Sequence, residues 1–213
     1  MKAPERRERE IVRTREDILE AAARAFSKTG LGATTMQDIA REAGYTAASL
    51  YTYFRSKDQI VEALLGQLTS EFLQTFEVPL PAGLTFLQRF DMVLLRQFEL
   101  IERRRTLFLS FHSGRQDTEF CPGDAHGKML HMSFERRIQR MAKWFDDNAR
   151  PEDIGGHDTD TVARLLFGMA FGLLHRWMSE PQHNAHLADL APLLRDFFFY
   201  GVSGRPKTGA KKK

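Results

Sequence analysis

The sequence predicts an all-α fold, and three observations carry that prediction. Apolar residues recur at helical spacing almost everywhere between turn-forming stretches, and no run alternates as a half-buried strand does. Breakers at Gly30–Gly32, Gly44, Pro79–Gly83, Ser113–Asp124, Arg150–Asp158 and Pro181–His186 cut the 213 residues into about nine helix-length blocks. Two of the blocks are only about two turns long and meet at a single glycine, Gly44.

Taken in order, the first block carries Ile18, Ala22, Ala25 and Phe26 at i, i+4, i+7 and i+8, with Ile11 extending the stripe backwards. The second opens after Thr35, an N-cap residue, and repeats the pattern with Met36, Ile39, Ala40 and Ala43. Gly44 follows where a left-handed residue ends a helix. The third opens after Thr46 and places Ala47, Leu50, Tyr51 and Phe54 on one side. Ser56 caps a longer fourth helix bearing Ile60, Val61, Leu64, Leu65, Leu68, Phe72 and Phe76. Two short helices joined by a glycine turn and braced by a longer one make a helix-turn-helix.

Helices 5, 6 and 7 are expected at about 84–102, 104–112 and 124–147. Two later blocks, "TVARLLFGMAFGLLHRWM" (161–178) and "LADLAPLLRDFFFYG" (187–201), are apolar most of the way round and must be buried on several sides. The expected organisation is a helix-turn-helix domain over 1–56, a larger helical domain over 57–201 entered through helix 4, and a basic, disordered tail over 202–213.

Composition narrows the function. Apolar residues make up 42% and charged residues 28%, the balance of a soluble globular chain. No run approaches the roughly 18 uncharged apolar residues of a membrane span. The charged N-terminus has no apolar signal region, and the lone Cys121 leaves no disulfide framework, so a reducing cytoplasm is expected. Net charge is +3: residues 1–60 carry 11 Lys/Arg against 9 Asp/Glu, the last twelve carry 5 against 0, and the middle is net acidic. Basic ends on an acidic body permit nucleic-acid binding without proving it.

The third block supplies the sharper clue. Its apolar stripe turns toward the other helices, leaving Thr46, Ser49, Thr52 and Tyr53 on the remaining circumference, with Tyr51 on the border. Hydroxyls and backbone N–H groups at a helix start hold phosphates, and Tyr and Thr can touch thymine methyls. Partly buried tyrosines with wet hydroxyls would satisfy the same periodicity. The residues "TTMQDIAREAGYTAASLYTYFRSKDQIVEALL" (34–65) resemble the DNA-binding domain of the TetR family of bacterial transcriptional regulators. The matching elements are Thr34–Thr35, Ile39–Ala40, Ala43–Gly44, Leu50-Tyr51-x-Tyr53-Phe54 and Ser56-Lys57-Asp58, and the resemblance covers residues 10–65.

That resemblance implies roles position by position. Thr35 would meet a phosphate at the start of helix 2, and Thr46 would open the recognition helix. Tyr51 would sit against backbone and base methyls, Tyr53 would touch phosphate, and Lys57 would clamp the backbone. Many relatives carry a lysine or arginine where this chain has Ala47. A bidentate Arg–guanine contact is therefore missing, and readout is expected to lean on thymine methyls, Tyr45, Ser49 and DNA shape, with Ala47 and Thr52 also counted among the DNA-facing candidates. The basic arm Arg6, Arg7, Arg9, Arg13 and Arg15 is interleaved with Glu5, Glu8, Glu10 and Glu16, the pattern of a salt-bridged helix start as well as of a minor-groove arm.

For the rest of the chain the resemblance implies a ligand-binding and dimerisation domain. The last two helices would form a four-helix bundle across a two-fold axis, with Leu165, Gly168, Gly172, Leu187, Leu190, Leu194, Phe197 and Phe198 as interface candidates. The homodimer would pair two helix-turn-helix units on a palindromic operator. Phe90, Leu94, Phe98, Phe108, Phe111, Phe134, Met141, Phe171 and His175 are candidates to line a pocket for an apolar or aromatic effector. The same residues would also serve as ordinary helical core.

No nucleophile–base set, Gly-rich phosphate loop or HExxH motif appears, so no catalysis is expected. The spacings of His126 and His131, and of His183 and His186, complete no metal site, and no cofactor is expected. Cys121 has no resolving cysteine. The sequence thus reads as a regulator of transcription, a repressor released from double-stranded DNA by a small molecule that shifts helix 4. An activator, or a helical small-molecule-binding protein of different regulatory sign and effector, is the competing reading.

Overall fold

The computed structural model describes residues 3–112, 125–179 and 186–202. Cys121, His183 and the Lys211–Lys213 tail lie outside the described residues. Within them the chain forms nine α-helices: α1 (Ala3–Thr29), α2 (Met36–Ala43), α3 (Ala47–Tyr53), α4 (Lys57–Gln74), α5 (Phe86–Arg103), α6 (Arg105–His112), α7 (Ala125–Asn148), α8 (Thr159–Ser179) and α9 (Ala191–Tyr200). Two 3-10 turns, Pro151–Ile154 and Leu187–Leu190, precede α8 and α9.

The helices divide between two compact units, one of residues 1–70 and 104–134, the other of residues 71–103 and 135–213. The first unit runs past the 56/57 boundary expected from sequence: it takes in residues 57–70 of α4, and α6, which packs on α1. In that unit α1 lies along α2 and α6. Ile18, Phe26, Ile39, Leu50, Phe54, Ile60 and Val61 make a core sealed from water. α3 buries only Leu50 within its seven residues, so its position depends on its neighbours rather than on its own propensity. Ile11, the backward extension of the α1 stripe, is exposed: that stripe is buried only from Ile18 onward.

The second unit is built on an aromatic cluster. Phe90 of α5 lies 5.0 Å edge-on from Phe199 and 6.3 Å in a stack from Phe198, with Phe145 of α7 at 6.1 Å. Phe86 reaches Trp144 at 6.0 Å. Two polar links hold the turn and helix at the chain's end to α5: Arg195 Nη1 donates to Asp91 at 2.7 Å, and His186 Nδ1 meets Glu102 at 2.8 Å. The block expected as one helix over 187–201 is a 3-10 turn followed by α9. Pro192, the second residue of α9, lacks an N–H and fits only the first turn of a new helix, which places the break there.

α8 is not sealed within the chain. Val162, Ala163, Leu166, Leu174 and Trp177 are buried. Leu165 is 61% exposed, and Gly168, Phe171, Gly172 and His175 are exposed beside it along one stripe.

Candidate nucleic-acid interface

Local chemistry fixes the two short helices. Thr35 and Asp38 form a reciprocal capping box: Asp38 N–H donates to Thr35 Oγ1 at 3.2 Å, and Thr35 N–H donates to Asp38 Oδ2 at 3.0 Å. The Thr35 hydroxyl also donates to Asp38 Oδ2 at 2.6 Å. These bonds from Thr35, aided by Arg41, hold the Asp38 carboxyl below its ordinary range. At the other end Gly44 sits at φ 74°, a left-handed backbone that lets Tyr45 N–H reach Ala40 O at 2.9 Å. That reversal sets the start of α3, where Thr46 Oγ1 accepts Ser49 N–H at 3.1 Å and donates to Ser49 Oγ at 3.0 Å.

α3 therefore presents an uncharged surface. Tyr45, Thr46, Ser49, Tyr51 and Thr52 are exposed, with Tyr51 at 48%, whereas Ala47 is half-buried. Thr52 Oγ1 donates back to Ala48 O at 3.4 Å, a long bond that leaves its methyl group at the surface. Tyr53 is half-buried, and its carbonyl accepts a hydrogen bond from Arg15 Nη1. The Arg15 guanidinium also lies 4.1 Å over the Phe54 ring. Arg15 thus ties the end of α3 to α1, a role its place in a charged arm did not reveal. Arg6 pairs with Glu10 at 3.1 Å in the exposed i,i+4 arrangement.

Lys57 goes somewhere the sequence did not indicate. Its Nζ donates to three carbonyls of the α1–α2 loop: Leu31 at 2.9 Å, Gly32 at 3.3 Å and Thr34 at 3.1 Å. An ammonium has three N–H donors, so all are committed within the protein rather than turned outward. The expected backbone clamp is in this structure a brace between α4 and the loop that carries Thr35. Arg55, which sequence reasoning passed over, is the exposed cation directly after α3, and only its backbone N–H is engaged, with Gln59 Oε1 at 2.9 Å.

The pocket candidates are divided between the units. Phe108, Phe111 and Phe134 belong to the first; Phe90, Leu94, Phe98, Met141, Phe171 and His175 belong to the second. Phe90, Leu94, Phe98 and Met141 are buried, whereas Phe171 and His175 lie on the exposed α8 stripe, their rings 6.5 Å apart. Among the interface candidates Leu187 and Leu194 are sealed inside the chain and Leu190 and Phe198 are half-buried. Leu165, Gly168, Gly172 and Phe197 are exposed, and so is Leu193, which sequence reasoning missed although it stands one turn before Phe197. On α7, burial pushes the pKa of the Arg137 guanidinium, 5.7 Å over the Phe72 ring, down to about 10. Among the described residues no three of His, Cys, Asp and Glu converge as metal ligands, and no helix is long and apolar enough to cross a membrane.

Comparison with known proteins agrees with this geometry. The family profile described as "Bacterial regulatory proteins, tetR family" matches residues 18–64, from the buried part of α1 into α4. The probable HTH-type transcriptional regulator ArpR of Pseudomonas putida is 46% identical over 199 residues, covering 87% of this chain and 90% of that protein. Among solved structures, the fatty acid degradation regulator FadR of Bacillus halodurans superposes with a TM-score of 0.76 at 13% identity, covering 90% of this chain and 97% of that one, a likeness of fold. SmeT, the repressor of a Stenotrophomonas maltophilia multidrug efflux pump, solved with triclosan, has a TM-score of 0.67 at 25% identity, covering 87% and 89%. These relatives are regulators rather than enzymes, and an uncharged, hydroxyl- and tyrosine-bearing helix held out by a capped turn is the form their DNA-binding domain takes here. The chain belongs to the TetR family of bacterial transcriptional regulators.

Proposed function

We propose that this regulator is a homodimeric repressor that binds a palindromic operator through α3 and leaves it when an apolar or aromatic small molecule enters the second unit. The observation that carries the DNA half is the exposed, chargeless face of Tyr45, Thr46, Ser49, Tyr51 and Thr52. With no guanidinium on α3, the bases are read through thymine methyls and groove shape, and A·T pairs dominate the positions under the helix. Phosphate attraction comes from Arg55 beside α3, with Tyr53 and the first turn of α2 at Thr35 supporting it.

Dimerisation follows from the exposed stripe of α8 with Leu193 and Phe197 of α9. Apolar surface left uncovered on a helix this hydrophobic is expected to be buried by a second copy, and two recognition helices then match two half-sites. The effector half of the reading is supported by the aromatic interior around Phe90 and by the capture of triclosan, an aromatic compound, by SmeT. α4 and α7 each contribute residues to both units, so a ligand that favours one arrangement of these helices has a covalent route to α3. It acts only through its differential affinity for the two states.

The test is a titration of the purified protein onto a duplex recovered by selection from random sequence. Tyr51→Ala should weaken binding by about 1–3 kcal/mol, roughly five- to 150-fold, with the fold intact. Triclosan, as a first aromatic probe, should release the duplex. A Tyr51→Ala protein that binds as tightly as wild type would remove α3 from the interface.

A further inference from the structure

We infer that the side-chain amide of Gln97 is the polar contact for the effector, so that the regulator answers to apolar aromatic compounds that carry a hydrogen-bond acceptor. The inference rests on the effector reading above and names the chemistry that reading leaves open.

Gln97 lies in the middle of α5 and is 5% exposed. It stands seven residues after Phe90, which at 100° per residue returns it to within about 20° of the same face. Its neighbours on that stripe, Val93, Leu94, Phe98, Leu100 and Ile101, are apolar and buried. The amide is therefore embedded in the apolar side of the helix, two turns from the aromatic cluster around Phe90.

What sets it apart is that its Nε2 is buried and makes no hydrogen bond. Two arginines also bury an Nε without an acceptor, Arg89 and Arg105. Arg89 still donates through Nη2 to Asn148 O, and Arg105 has a partner of its own. The remaining buried polar residues among those described are all bonded. Thr34 bonds to Thr29 Oγ1 and to Gly30 O, Thr75 bonds to Phe72 O, and Thr69 and Ser133 bond to each other. A buried donor without an acceptor carries the full desolvation cost of the group, whereas a leucine or methionine of similar size would carry none. A single trapped water would not resolve this, because it needs two to four polar partners and the stripe offers one. An apolar ligand with a carbonyl, ether or phenolate oxygen supplies the missing acceptor while filling apolar space. A site built this way discriminates strongly against an analogue lacking that oxygen.

The experiment uses matched pairs in which a ketone oxygen is replaced by a methylene of nearly the same shape. These are benzophenone with 1,1-diphenylethylene, 2-acetylnaphthalene with 2-isopropenylnaphthalene, and 4-acetylbiphenyl with 4-isopropenylbiphenyl. Melting-temperature shifts and Kd values are measured on the full-length wild type and on Gln97→Met. Wild type is expected to bind at least one ketone about tenfold or more tighter than its hydrocarbon twin. Gln97→Met should level that preference and, free of ligand, melt at or above wild type. Equal binding of ketone and hydrocarbon by wild type would overturn the assignment while leaving the effector reading intact. A preference retained in Gln97→Met, or a ligand-free variant that melts several degrees lower, would also overturn it. If no compound of either kind moves the wild-type melting temperature, the aromatic-effector reading itself fails, and the assignment with it. Should Gln97→Met not fold, Gln97→Leu repeats the variant arm, and the wild-type ratio needs no variant at all.

Discussion

Replacing Lys57 by methionine separates two readings of one side chain. The structure gives its ammonium three carbonyl partners at 2.9, 3.1 and 3.3 Å in the α1–α2 loop. A hydrogen bond to a charged group is worth roughly 1.5–3 kcal/mol when shielded and less where water competes, so three half-shielded bonds contribute about 2 kcal/mol together. For a chain of this length that corresponds to a melting temperature lower by about 4–8 °C. Each phosphate contact made by a cation contributes about 0.9 to the slope of log K against log[salt]. Lys57→Met should therefore melt early yet keep the wild-type slope to within about 0.5. Arg55→Ala should do the reverse, melting normally while the slope of the dimer flattens by about 1.8, one contact from each protomer. The assays are thermal denaturation and DNA titration at several salt concentrations. A Lys57→Met protein with unchanged melting and a slope flattened by about 1.8 would refute the reasoning and restore the lysine as the phosphate clamp.

Four further outcomes follow from particular residues. Gly44 sits at φ +74° with open space where a Cβ would go, so Gly44→Ala should cost about 1–2 kcal/mol from backbone strain alone. Gly66, within α4 and equally open, should gain about 1 kcal/mol as alanine, and thermal melts of both variants compare the two signs directly. His186 is held above its ordinary pKa by its hydrogen bond to Glu102, by that carboxylate's charge and by Asp189. Its link is therefore fully stabilising below about pH 6.5 and lost as the pH rises through the raised folded value. An NMR titration should show the imidazole falling to its ordinary range in Glu102→Gln, and an unmoved titration would break the link. Ala47→Arg should add a guanine preference of about 1–3 kcal/mol at one half-site position, read by competition between duplexes.

The helix-turn-helix was legible because several local signals coincide. The cap residues Thr35 and Thr46, the left-handed Gly44 and the stripe through Ile39 and Leu50 all point to the same boundaries, and α2 and α3 begin directly after the predicted caps. What was not legible is tertiary. Nothing near Lys57 in sequence announces that residues 31–34 will fold back onto its ammonium, or that Arg15 will find the end of α3 thirty-eight residues later. In α8 hydrophobicity nearly all round predicted burial without saying by what, and within the single chain the Leu165 stripe stays exposed. Pro192 did carry a signal for the break before α9, hidden by the apolar residues on either side of it. Gln97 was invisible for a related reason: a lone amide in an apolar period reads as a gap in the stripe until its burial and missing partner are seen.

Selection of random duplexes by the full-length protein, followed by sequencing of the bound fraction, tests the central claim most directly. The account predicts a two-fold symmetric consensus of two half-sites spaced to place two recognition helices in successive major grooves, with A·T pairs strongest beneath α3. A consensus without symmetry, or one whose strongest positions beneath α3 are guanines, would contradict it.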